Sequence, residues 1–114
     1  MVKLQLNGEV KVPISYRDRQ MDIKEKLERS KPYLNKTFHV KRIGIFGSYA
    51  RNKHNHYSDI DILVEFEKGH KDFFNYMRLK YYLEGILKKK IDLVMKGAIK
   101  PMLKKSILTE VDYV

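Results

Sequence analysis

Apolar and polar residues alternate at the start of the chain, over residues 2–6 and again over 10–14, with Asn7-Gly8 between the two runs. Alternation predicts strands, and Asn-Gly between two such runs is typical of a β-hairpin. An isolated hairpin is only marginally stable, so this one must pack on the domain, pair with a partner or fray. We therefore assign residues 1–17 to an N-terminal extension and residues 18–114 to one domain.

The rest of the chain changes between the helical period of 3.6 and the strand period of 2. Helices are predicted over 18–33, with Asp18 as the N-cap, over 72–89, with Asp72 as the N-cap, and over about 100–108. Strands are predicted over 39–46, 59–66 and 91–95. The first strand ends at Gly47-Ser48, where a short helix can start. This order indicates an α/β (α+β) domain with a small mixed sheet flanked by helices.

Two sides of the long predicted helix are apolar. One side is a core stripe, formed by Tyr76, Leu79, Leu83, Ile86 and Leu87. Phe74, Met77 and Tyr81 lie on a different side, and a small domain cannot easily bury both. This second side either contacts the N-terminal helix or forms an exposed patch for a partner chain.

Composition limits the class of protein. The 114 residues are 43% hydrophobic, which is enough for one core, and the absence of cysteine excludes disulfides and thiolate zinc sites. No apolar run reaches the roughly 18 residues of a membrane span, and no signal-peptide core is evident, so a cytoplasmic protein is expected. The net charge is +10, and residues 78–105 hold nine basic groups and two acids. Such a field is either a solvated surface or attracts polyphosphate, nucleic acid or an acidic protein.

Three aspartates stand inside or beside apolar strands, where carboxylates are costly unless a cation compensates them. Asp59 and Asp61 are spaced i, i+2 and point to one face, while Asp92 lies in the apolar run Ile91–Val94. If the two strands are adjacent, the three carboxylates can converge. Together with substrate phosphates they can hold two Mg²⁺ ions about 3.5–4 Å apart, an arrangement used for in-line phosphoryl displacement.

The Gly47-Ser48 turn precedes these acids by about ten residues. Gly47 allows close approach of a ligand, and the Ser48 hydroxyl and nearby backbone N–H groups can bind phosphate. Arg51 can bind phosphate too, or it can pair with an acid and brace the turn. His54 and His56 lie in a polar loop and are expected either in solvent or in contact with the nucleotide or acceptor, with a metal role the least favoured.

The segments Gly-Ser-Tyr-Ala-Arg at 47–51 and Ser-Asp-Ile-Asp-Ile-Leu-Val at 58–64 resemble the signature of the DNA polymerase β-like nucleotidyltransferase superfamily. The short chain, with segments 91–94, 99–101, 107–108 and 111–114, resembles its minimal nucleotidyltransferases, the MntA-like antitoxins. One departure is Asn52, where the family often has glycine, but asparagine tolerates left-handed backbone geometry.

The resemblance implies a function. Family members use magnesium to transfer AMP from ATP to a tyrosine of a HEPN-domain toxin, which silences that toxin. Carried onto this chain, Gly47 and Ser48 would hold the triphosphate, Asp59 and Asp61 would bind both metals, and Asp92 would ligate the metal that activates the tyrosine hydroxyl. Two alternatives stay open: an antitoxin that acts by binding alone, and a nucleotidyltransferase acting on RNA or a small molecule.

Overall fold

The computed structural model describes residues 16–55 and 57–114, with side chains from residue 23 onward. The hairpin predicted over residues 1–14 lies outside this part of the chain. The described helices are α1 (Tyr16–Phe38), α2 (Gly47–Ala50), α3 (Phe73–Leu87) and α4 (Pro101–Glu110), and a 3₁₀ turn spans Lys96–Ala98. The described strands are β1 (Val40–Phe46), β2 (Ile60–Phe66), β3 (Ile91–Met95) and β4 (Asp112–Tyr113).

These strands form one mixed sheet in the order β3-β2-β1-β4. β1 is antiparallel to both β2 and β4, and β2 is parallel to β3. The parallel pair is possible because α3 lies between β2 and β3 in the chain and supplies the long connection that parallel strands need. The sheet therefore places the start of β2 beside the start of β3 and beside the end of β1.

The core lies on one face of the sheet, against α1 and α3. Every second residue at the start of β2 points into it, and Ile60, Ile62 and Val64 are each 0% exposed. Leu27 and Leu34 of α1, together with Leu79, Leu83 and Leu87 of α3, fill the other side. Burying each such side chain contributes about 1.5–3 kcal/mol. This packing holds in place the sheet that carries Asp61 and Asp92.

The predicted helices and strands of the domain are present with different ends, and the structure adds β4 and the 3₁₀ turn, which the sequence did not predict. α1 begins two residues before Asp18, so Asp18 is inside the helix and is not its N-cap. α1 also continues to Phe38 through Pro32, because Leu34 and Phe38 are buried in the core and hold the last turns in place. Asp72 is the N-cap of α3, as predicted, and accepts a hydrogen bond of 2.9 Å from the Asn75 amide.

The second apolar side of α3 is exposed rather than packed on α1. Phe74 is 77% exposed and Tyr81 is 62% exposed, while Met77 is half-buried. α1 meets α3 elsewhere, where the rings of Tyr33 and Tyr82 lie 5.0 Å apart. Of the two possibilities in the sequence, the structure agrees with an exposed side, and its use by a partner chain stays a prediction.

No helix in the described part of the chain combines the length and apolar character needed to cross a membrane.

Candidate active site

Strand register brings two of the predicted acids together. Asp61 of β2 stands opposite Asp92 of β3 in the parallel pair, and opposite Phe46 of β1 in the antiparallel pair. Residues paired in register point to the same face of a sheet, so both carboxylates lie on the face away from the α1–α3 core. Asp59 precedes β2 by one residue and is exposed. The sequence left open whether the Asp92 strand is adjacent to the Asp61 strand, and in the structure the two strands are paired.

These carboxylates interact strongly enough to change the protonation of one of them. The pKa of Asp61 is raised from 3.8 to about 6, first because the side chain is partly buried. The carboxylate of Asp92 raises it further, by repulsion and by sharing a hydrogen bond, and the charge of Asp59 adds to the repulsion. Arg51 acts in the opposite direction. The site therefore concentrates negative charge, and Arg51 offsets only part of it.

The donor chemistry of this site suits a magnesium ion, because Mg²⁺ prefers carboxylate oxygens and removes the repulsion between them. Asp61 stands in register with Asp92, and both Asp92 and Asp59 are near enough to raise the pKa of Asp61. Within residues 16–55 and 57–114, no three acid or imidazole side chains already stand in a ligating cluster. The set thus fits the ion by charge and donor type.

The turn after β1 lies against these acids. Gly47 has φ of 72°, a left-handed conformation that favours glycine, and it is buried. A Cβ atom added at Gly47 would overlap the carboxylate of Asp61. Glycine is therefore required here twice, by its backbone conformation and by the space that Asp61 occupies. The sequence indicated a close approach of a ligand at Gly47, and in this structure the close neighbour is Asp61.

Glu110, the last residue of α4, ties this turn to the C-terminal helix. Its carboxylate accepts a hydrogen bond of 2.9 Å from the Gly47 amide and pairs with the Arg51 guanidinium at 2.8 Å and 3.1 Å. The sequence left two roles for Arg51: binding phosphate, or pairing with an acid to brace the turn. The structure contains the second, with Glu110 as the acid. The sequence analysis did not find Glu110.

One residue of the polar loop after α2 is more buried than the sequence indicated. Asn52 has φ of 60°, so it takes the left-handed conformation expected of it. His54 was expected either in solvent or in contact with the nucleotide or acceptor. The placement in solvent is wrong, because His54 is only 7% exposed and stacks on the Tyr49 ring with centroids 3.9 Å apart. His54 is buried because Tyr49 lies beneath the loop and offers an apolar face. His56 lies outside the described residues.

Lys89 is a second residue that the sequence analysis did not identify. Its ammonium donates a hydrogen bond of 3.2 Å to the backbone oxygen of Ser58, next to Asp59. The Ile60 amide donates to the Lys90 oxygen at 3.0 Å, so the residues after α3 hold both sides of Asp59. In the sequence, three consecutive lysines at 88–90 are typical of a solvated surface. Only the tertiary structure shows that Lys89 contacts the residue before Asp59.

The sequence was compared with known protein families and with known proteins. The model of the nucleotidyltransferase domain family matches residues 20–114. A Methanocaldococcus jannaschii protein assigned as a protein adenylyltransferase is 49% identical over 94 residues, which cover 82% of this chain and 95% of that protein. Protein adenylyltransferase MntA of Thermococcus cleftensis is 41% identical over 93 residues, covering 82% of this chain and 93% of that protein.

Solved structures resemble the same part of the chain. A structure assigned as a minimal nucleotidyltransferase superposes with a TM-score of 0.62 at 31% identity and covers 84% of this chain and 89% of its own. A chain from the complex of a tri-AMPylated Shewanella oneidensis HEPN toxin with an MNT antitoxin superposes with a TM-score of 0.54 at 22% identity, covering 87% and 71%. The second likeness is evidence for the fold alone.

Proposed function

This chain belongs to the nucleotidyltransferase domain family, and we propose that it is an antitoxin that uses magnesium to transfer AMP from ATP to a tyrosine of a HEPN-type toxin. The family, the polymerase β-like fold and the transferase class agree with the sequence analysis. The observation that carries the proposal is the register of Asp61 with Asp92 beside the Gly47 turn. Such an arrangement suits a reaction in which positioning and charge neutralisation do most of the work.

Each site residue has a distinct part in the proposal. Asp59, Asp61 and Asp92 would hold Mg²⁺, whose chemistry when bound is to neutralise phosphate charge and to lower the pKa of the acceptor hydroxyl. Gly47 and Ser48 would hold the triphosphate, and Arg51, anchored by Glu110, would contribute positive charge beside it. The acceptor oxygen forms a bond to the α-phosphorus of ATP, the bond to the leaving pyrophosphate breaks, and the hydroxyl proton is released.

A macromolecular acceptor suits this chain better than a small one. The acids lie at the start of β2 and β3, and Asp59 and Asp92 are exposed. A partner protein can bring its own surface to such an open site, as the HEPN toxin would. The relative from Thermococcus cleftensis carries the name protein adenylyltransferase, which supports a protein acceptor here.

Transfer from labelled ATP tests the proposal. The chain is incubated with Mg²⁺, ATP labelled on the α-phosphate and the toxin encoded beside it, and label on the toxin is measured. Asp59→Asn is expected to abolish transfer and to keep the native fold, because Asp59 is exposed and outside β2. Asp112→Asn, a change of the same type at an exposed acid on the β4 edge, is the matched control. Full transfer by Asp59→Asn would refute the metal role.

A second candidate function is neutralisation of the partner by binding alone. The observation that favours it is the exposed apolar patch on α3, where Phe73, Phe74 and Tyr81 are 68%, 77% and 62% exposed. Intact-mass spectrometry of the toxin after co-expression separates the two candidates. A gain of one or more AMP masses supports the enzyme, whereas tight binding without a gain supports the binding module.

A further inference from the structure

A second concave site lies at the opposite end of the sheet from the acids. Its cavity has a volume of about 410 Å³ and is lined at its base by Val64, Glu65 and Phe66 of β2. Glu65 is four residues along β2 from Asp61, a separation on the order of 13 Å in a strand. The cavity is therefore distinct from the candidate active site. Its volume is within the range of small-molecule sites, roughly 300–1,000 Å³.

Five lysines from four separate parts of the chain surround this cavity. They come from β1, the β2–α3 loop, the 3₁₀ turn and α4, and they are Lys41, Lys68, Lys71, Lys96 and Lys104. The chain therefore folds to bring distant cations to one place, which differs from a run of lysines adjacent in sequence. The Lys71 side chain extends across the cavity toward Gly97 of the 3₁₀ turn. Its ammonium nitrogen lies 3.8 Å from the position that a Cβ atom on Gly97 would occupy.

A single acid in the lining compensates these lysines. Glu65 lies 3.9 Å from Lys41 and 3.8 Å from Lys96, and its side chain is only 30% exposed. Lys68, Lys71 and Lys104 make no ion pair within the described part of the chain. Like charges held around one cavity repel one another and lower stability, so the arrangement is costly unless an anion is bound.

We propose that this lysine cavity binds a chain of phosphate groups, supplied either by a free polyphosphate such as that of a nucleotide or by the backbone of a nucleic acid. Lysine presents compact point charges with rotatable donors, which suit phosphates of variable geometry. The lining contains no exposed aromatic side chain on which a base could stack. Recognition is therefore of phosphate charge and not of base sequence.

The test measures binding of two phosphate probes to the full chain in the presence of a chelator, which removes divalent cations from the acid site. The probes are inorganic triphosphate and a single-stranded oligouridylate, and an oligoglutamate peptide is the non-phosphate anion. The cavity variant is Lys68→Gln/Lys71→Gln/Lys104→Gln. The matched control is Lys36→Gln/Lys88→Gln/Lys90→Gln, which removes the same charge from exposed lysines outside the cavity.

The cavity variant is expected to weaken binding of at least one phosphate probe by about tenfold or more, while the control changes it by less than about threefold. The probe that loses affinity identifies the source of the phosphates. If it is the oligouridylate, the slope of log affinity against log salt falls by roughly 2, because each lost contact with a single strand releases about 0.7 counterion. The thermal midpoint of the cavity variant should not fall, because repulsion is relieved.

Two results would overturn the proposal. Equal losses in the cavity and control variants would show that only the general positive field attracts anions. A loss for oligoglutamate as large as that for the phosphate probes would show that the cavity takes any anionic chain, such as an acidic segment of a protein. Neither result depends on AMP transfer. The proposal of phosphate binding at the lysine cavity and the proposed function are therefore tested independently.

Discussion

Gly47 lies directly against the carboxylate of Asp61, so closely that a Cβ atom on Gly47 would overlap it. The first residue comes from the turn after β1 and the second from β2, and the antiparallel register of the two strands places them side by side. The contact joins the proposed phosphate-binding turn to the proposed metal-binding acids. A change at either residue must therefore disturb the other.

Gly47→Ala is expected to abolish AMP transfer and to lower stability by about 2–4 kcal/mol, because φ of 72° is strained for alanine and the new methyl group displaces Asp61. Transfer from labelled ATP and urea unfolding measure the two effects. Gly69→Ala is the matched control, since Gly69 has φ of 88° and nothing within 4 Å of an added Cβ. It should cost only about 1 kcal/mol and keep activity. Equal loss of activity in both variants would contradict the role of the Asp61 contact.

The repulsion between the acids predicts a conflict between stability and activity. Asp61→Asn removes a carboxylate whose pKa is raised to about 6 by burial and by Asp92, so it should abolish transfer and yet stabilise the metal-free protein. At pH 8 we expect a gain of about 1–2 kcal/mol, reduced from the full shift because solvent screens part of the side chain. Urea unfolding at pH 8 in a chelator measures it, with the exposed Asp112→Asn as the control.

The sign of this effect follows from the direction of the shift. A carboxyl whose pKa is higher in the folded than in the unfolded protein binds its proton more tightly when folded. Its contribution to stability is fully present below the unfolded pKa of 3.8 and is lost as the pH rises through about 6. The gain from Asp61→Asn should therefore be large at pH 8 and close to zero at pH 4. A gain that stays the same across this range would show that repulsion is not its cause.

The acids could be predicted from the sequence because their signal is local. An aspartate inside the apolar run 60–64 or 91–95 is conspicuous within a few residues, and both runs are strands in the structure. The adjacency of these strands depends on the parallel connection through α3, which the sequence analysis left open. The shared face of Asp59 and Asp61 stays a prediction, because Asp59 lies outside β2 and the period of 2 applies within a strand.

The C-terminal residues that contact the site could not be predicted from the sequence around them. Glu110 is separated from Arg51 by 59 residues, and nothing in the nearby sequence distinguishes it from any acid at the end of a helix. β4 comprises only Asp112–Tyr113, which is too short for a periodic pattern. Tertiary packing decides both features. The burial of His54 is a similar case, since it depends on a stacked contact with Tyr49.

Two glycines in regular elements should respond to alanine in opposite ways. Gly44 of β1 faces β4, and an added Cβ would lie 2.8 Å from Val111 Cγ2 and 2.9 Å from the Asp112 oxygen. Gly44→Ala should cost about 1–3 kcal/mol and speed amide hydrogen exchange over residues 111–114. Gly85 is exposed in α3 with nothing within 4 Å, so Gly85→Ala should stabilise by about 0.5–1 kcal/mol. Destabilisation by Gly85→Ala would contradict the open space around it.

The last prediction concerns the brace between Arg51 and Glu110. Glu110→Gln removes the charge that pairs with Arg51 but keeps an oxygen that can accept from the Gly47 amide, whereas Glu110→Ala removes both. We expect Glu110→Gln to cost about 0.5–1 kcal/mol, because the Arg51 side chain is 52% exposed and solvent screens the pair. Glu110→Ala should cost about 1 kcal/mol more, since the buried Gly47 amide then loses its acceptor.

A double-mutant cycle with Arg51→Gln separates the two interactions. In that background Glu110→Gln should be nearly neutral, because its charge has no guanidinium to pair with, while Glu110→Ala should still cost about 1 kcal/mol through the Gly47 amide. Urea unfolding of the six proteins measures each value. If the costs of both Glu110 substitutions are unchanged by Arg51→Gln, the ion pair contributes nothing and the amide contact alone holds α4 to the turn.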